Sequence, residues 1–150
     1  MKRFKFGLER LLWLRSQFER EGASALQQAK REEEARRDEL ERAESRLGDF
    51  GAQITGAAEH TPSAGTLQVL SQTIQVAARQ REVAAESHRE SVEGVAGAEQ
   101  RFDRNRQERR VVERLRENRE TEWNQEESRI EQREMDGLAK HPRTGTEEVA

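Results

Sequence analysis

Apolar and small side chains recur along this chain in steps of three and four, interrupted once near the middle. Before the interruption they fall at Leu40, Ala43, Leu47, Phe50, Ile54 and Ala57. After it they resume at Leu67, Leu70, Ile74, Ala77, Ala84, Val95, Ala98, Phe102 and Val112. A repeat of about 3.5 residues puts one narrow apolar seam on a helix, and a second helix has to cover it. The interruption, Thr61-Pro62-Ser63-Ala64-Gly65, combines a proline and a glycine, and the capping candidates are Thr61, Ser63 and Thr66. The pattern predicts an all-α fold, an elongated antiparallel two-helix coiled-coil hairpin in which the chain folds back on itself. The expected bounds are a single hairpin domain over 1–138, with a helix over 4–58, a turn over 59–66 and a helix over 67–138. Residues 139–150 lack the period and contain Pro142 and Gly145, so a disordered tail is expected there.

Folding about the break sets Ile54 opposite Leu70, Phe50 opposite Ile74, Leu47 opposite Ala77 and Leu12 opposite Val112. Phe102 arrives beside Gly22 and Leu26, a large side chain over a small one, as close packing favours. The early seam, Leu8, Leu11, Phe18 and Gly22, shifts register before Leu26 and Ala29, a stutter. Over 30–37 the seam is nearly empty of apolar groups. Glu32 with Arg36 and Glu33 with Arg37 are expected to pair there, at about 0.3 kcal/mol each. That stretch is expected to be the least strongly held. The second helix is the longer, reaching about 100 Å at 1.5 Å per residue, and its end beyond Trp123 is expected to project past the start of the first.

Composition agrees with a rod rather than a globule. Only 32% of residues are hydrophobic and 38% are charged, against nearly half and a quarter in ordinary domains. The net charge is −3, with acids and bases interleaved, which excludes the basic surface that sequence-independent nucleic-acid binding requires. Cysteine is absent, so there is no disulfide scaffold, thiol catalysis or Cys-based metal site. Met1-Lys2-Arg3 begins like a signal peptide, but Glu9, Arg10 and Arg15 break up the leucines that follow. No stretch approaches the roughly 20 apolar residues that span a bilayer. A cytoplasmic protein is expected.

Chemistry is sparse. The three histidines, His60, His88 and His141, fall in no ligand spacing and read as solvated. The carboxylates of a two-helix rod have no dry cleft to shift their acidity. Gly94-Val95-Ala96-Gly97 sits inside a heptad helix, with no strand before it to make a phosphate loop. No catalytic, cofactor-binding or metal residue is expected, so the chain reads as a non-enzyme. Interaction remains. The two tryptophans, Trp13 and Trp123, lie where the chain's ends meet. Trp123 is placed to close the seam against Phe4, or to anchor a partner.

The opening Phe4-Lys5-Phe6-Gly7-Leu8-Glu9-Arg10-Leu11-Leu12-Trp13-Leu14-Arg15 resembles that of the flagellar export protein FliJ family, which begins with an F-x-F-x-L-E-x-L-L-x-L-R run. Trp123, Glu126, Arg129 and Glu131-Gln132-Arg133-Glu134-Met135-Asp136 are similar to the family's closing segment, with Gly137 in place of its final Glu. The resemblance implies a non-enzymatic stalk of the flagellar type III export apparatus. It would be cytoplasmic, and peripherally associated with the inner membrane through that apparatus. It implies that the terminal end binds the ring of the export ATPase and promotes its assembly, through Trp13, Trp123, Arg129, Ile130, Gln132, Arg133, Met135 and Asp136. It implies that the turn end contacts the cytoplasmic domain of the export gate protein FlhA. The family's F-x-x-x-L-x-x-A-x-x-x-H segment is matched by Leu70, Ile74, Ala77 and Arg81, with Leu for the aromatic and Arg for the histidine. Export chaperones are further implied partners; cofactors and nucleic acid are not. The rival readings are the equivalent stalk of a virulence secretion system, and a peripheral protein of anionic membranes using the basic N-terminal helix. A coiled coil pairing between chains is a third, whereas the closed hairpin predicts a monomer.

Overall fold

The computed structural model describes residues 3–139. Two helices account for almost all of them, α1 over Glu9–Ala58 and α2 over Ala64–Ala139, and no strand occurs among the described residues. Long runs of Glu, Arg, Gln, Ala and Leu favour helix at nearly every position, and Pro62 lies between the two helices. The expected tail over 139–150 lies outside the described residues, apart from Ala139, which closes α2.

Both helix starts differ from the sequence expectation. The first helix begins at Glu9, not Phe4. Residues 3–6 have no regular structure, and a turn at Gly7 and Leu8 leads into the helix, with the Glu9 amide on the Phe6 carbonyl at 3.3 Å. Phe4 is held against Trp123, ring centroids 6.0 Å apart and tilted by 53°. Packing of Phe4 on Trp123 outweighs the helical period of the segment's apolar residues. The second helix begins at Ala64, not residue 67, because Ser63 is the N-cap. Its Oγ accepts the Thr66 amide at 3.2 Å and lies 2.9 Å from the Thr66 hydroxyl. The connection is therefore only Glu59 to Ser63. Thr61 within it has φ 49°, a left-handed conformation that a β-branched residue rarely adopts.

The chain forms two compact units, one of Met1–Ser16 with Gln107–Ala150 and the other of Gln17–Arg106. In the turn-bearing unit the helices run antiparallel, since rising numbers on α1 meet falling numbers on α2. Gly22 meets Phe102, Glu33 meets His88, and Glu44 meets Arg81. Its seam is built from small side chains. Ala43, Ala77 and Ala98 are the buried residues, while Leu40, Leu47, Phe50, Ile54, Leu70, Ile74, Val95 and Phe102 are half-buried. Two helices alone cover only part of a large side chain, and each methylene they do bury contributes about 0.8 kcal/mol.

Phe102 lies over Gly22 as its spacing predicts. A methyl placed on Gly22 would sit 3.4 Å from the Phe102 Cα and 3.1 Å from the Asn105 amide nitrogen, which itself donates to the Phe18 carbonyl at 3.0 Å. The sparse stretch over 30–37 is held differently from the expectation. Glu32–Arg36 and Glu33–Arg37 pairs do not form. Glu33 instead accepts from His88 Nε2 across the seam at 2.9 Å, and Arg36 pairs with Glu39 at 3.1 Å. Both Glu33 and His88 are only 23% exposed, so His88 is a seam residue and not a solvated one.

The unit carrying the chain termini is antiparallel too. Phe4 meets Trp123, Glu9 lies 3.4 Å from Arg116, and Arg15 pairs with Glu108. Val112 is buried, and Leu11 and Leu12 are half-buried.

Candidate interaction surfaces

The positions assigned to the gate lie on the seam of the turn-bearing unit. Leu70 and Ile74 are half-buried and Ala77 is 4% exposed. They follow one another at four and three residues, so the same spacing that forms the motif also turns it towards α1. Arg81 continues the spacing, but its guanidinium reaches out to Glu44 at 3.1 Å and stays exposed. With the seam closed, the four positions present a cation and little apolar surface.

The positions assigned to the ATPase ring belong to the other unit. Trp123 is half-buried on Phe4 at the last pairing between the N-terminal segment and α2. From residue 128 to 138 every side chain is exposed, including Ile130 at 41%, Met135 at 70% and Leu138 at 76%. Arg129, Gln132, Arg133 and Asp136 fall at helical spacing on one side of this stretch, and Arg129 pairs with Glu126 at 3.6 Å. Trp13 is 62% exposed on the outer side of α1 and is not joined to Trp123 by a ring contact among the described residues. The two tryptophans thus have different roles, one closing the pairing and the other left open.

The family model for the flagellar FliJ protein matches residues 4–142. The chain belongs to the flagellar FliJ family. No curated protein and no solved structure matches it. Membership in the FliJ family associates the chain with flagellar protein export. Among the described residues no helix is long and apolar enough to cross a membrane, and no group of His, Asp and Glu is arranged to hold a metal ion.

Two features went unread in the sequence. His88 follows Ala84 by four residues and precedes Val95 by seven, so extending the heptad would have placed it on the seam. Val69, Val76 and Val83 form a second stripe at seven-residue spacing, 62%, 58% and 65% exposed. It lies on the flank beside the first seam, at positions the first seam's period does not reach.

Proposed function

We propose that this FliJ-family chain is a non-enzymatic stalk that joins the flagellar export ATPase to the export gate. The observation that carries the reading is a family match that takes in both the N-terminal run and the Trp123 segment, residues 4–142. The exposed Ile130 and Met135, beside Arg129, Arg133 and Asp136, supply a mixed apolar and charged face of the kind that binds a protein ring. Trp13 and Trp123 complete the ATPase-facing set. A truncation ending at Glu122 is the direct test. It removes that face and leaves the turn-bearing unit intact, so pull-down of the cognate export ATPase is expected to be lost while helical circular dichroism persists. Retained ATPase binding would overturn the assignment.

Gate binding through Leu70, Ile74 and Ala77 requires the turn end to part, because these side chains face α1. Gly48, Gly51 and Gly56 lie on the facing stretch of α1 with nothing within 4 Å of a notional Cβ, and each weakens the helix there by up to about 1 kcal/mol. The chain has no cysteine, so Phe50→Cys with Ile74→Cys can be tied across the seam by a short thiol cross-linker. The tied protein is expected to lose binding to the cytoplasmic domain of FlhA, and the untied double variant to keep it. Equal binding by the two would show that gate contact needs no opening. The protein would work in the cytoplasm, at the inner-membrane face of the export apparatus.

A further inference from the structure

Valine is a poor choice for a solvated helix position. Its branched side chain costs about 0.5 kcal/mol against Ala there, and a mostly exposed valine buries little in return. Val69, Val76 and Val83 nonetheless recur on the outer flank of α2, with Thr73 and Gln80 between them at steps of four and three. This second seam runs alongside the first. Its Val76, Gln80 and Val83 line a groove of about 940 Å³ whose opposite wall is α1, where Arg42 and Arg46 stand, and Val69 and Thr73 line an adjoining groove of about 390 Å³ beside Arg46 and Phe50. Arg79 of α2 also lines the larger groove. Arg42, Arg46 and Arg79 make no ion pair among the described residues, and the acid of that edge, Glu39, is engaged by Arg36 at 3.1 Å.

We propose that this groove is the docking site for an amphipathic α-helix with acidic flanks, contributed by another protein and lying as a third helix against α1 and α2. Heptad spacing fits the partner's shape, since a helix laid along the stripe meets a valine every second turn over about 21 Å. The guanidiniums select its charge. A second copy of this chain is a poor occupant, because two-fold pairing on the stripe sets Arg42, Arg46 and Arg79 against their own like charges. A lipid surface would use the same charge but has no use for a groove. Because α1 and α2 supply its two walls, the site is present only while the first seam is closed, and opening to the gate would dismantle it.

Two synthetic three-heptad helices with Leu at the a and d positions test it on the full chain, one flanked by Glu and the other by Lys. Fluorescence anisotropy is expected to show the Glu peptide binding at least about tenfold tighter. Val76→Ser with Val83→Ser is expected to weaken it about fivefold or more with unchanged helicity, and Arg42→Glu with Arg46→Glu to reverse the preference. Equal affinity for the two peptides, or unaltered binding by the serine variant, overturns the proposal. So does a dimer in sedimentation velocity that the serine variant abolishes, or binding to phosphatidylserine vesicles in place of the Glu peptide.

Discussion

Gly22 offers a sharp test of how the helices of the turn-bearing unit meet. A glycine inside a helix is about 1 kcal/mol less favourable than alanine, so replacing an unencumbered one is expected to stabilise. Gly48 and Gly94 are unencumbered, with no atom within 4 Å of a notional Cβ. At Gly22 the new methyl would stand 3.1 Å from the Asn105 amide and 3.4 Å from the Phe102 Cα. The amide can swing away only by giving up its bond to the Phe18 carbonyl, worth about 1 kcal/mol. The Phe102 Cα is backbone and cannot step aside. Gain and loss therefore cancel, and Gly22→Ala is expected to leave stability near that of the parent. Gly48→Ala and Gly94→Ala are each expected to raise it by about 1 kcal/mol. Gly22→Leu overfills the site and is expected to cost about 2 kcal/mol. Thermal melts followed by circular dichroism would separate these, at roughly 2–4 °C per kcal/mol for a chain of this size. If Gly22→Ala raised Tm as much as Gly48→Ala does, Phe102 would not lie over Gly22 and the helix register would be wrong.

Thr61→Gly relieves the left-handed φ of 49° and is expected to raise Tm by the equivalent of about 1 kcal/mol, after part of the gain is lost to the freer unfolded chain; an unchanged or lower Tm would count against strain at the turn. Glu33→Leu alone strands His88 without its partner and is expected to destabilise, whereas Glu33→Leu with His88→Leu fills the seam and is expected to match or exceed the parent by about 1–2 kcal/mol. Chemical denaturation of the two variants checks the sign, and a single variant as stable as the double would refute the cross-seam role of the pair.

The seam was legible because its period is carried by residues whose burial leaves little choice, such as Leu40, Ala43, Leu47, Ile74, Ala77 and Ala98. The meeting of Phe102 with Gly22 followed from the position of one break and equal counting along both helices. Period alone misplaced the start of α1, since Phe4 is as apolar as a helix residue but is held against the Trp123 ring. It also misread His88 and Glu33. A polar pair on a seam looks like two solvated residues until both helices are in place. For the candidate site, spacing proposes the positions but does not give their exposure. The spacing of Leu70, Ile74 and Ala77 is that of the proposed gate contact and of the seam alike, and their burial shows them on the seam.

A seam whose enclosed side chains in one unit are Ala43, Ala77 and Ala98 grips weakly at every step. Methyl groups contribute little each, so cohesion is distributed along the zipper and no single rung is decisive. Such a fastening can be peeled locally by a competitor that offers one strand a better bargain, while the remaining rungs keep the two strands aligned for reclosure.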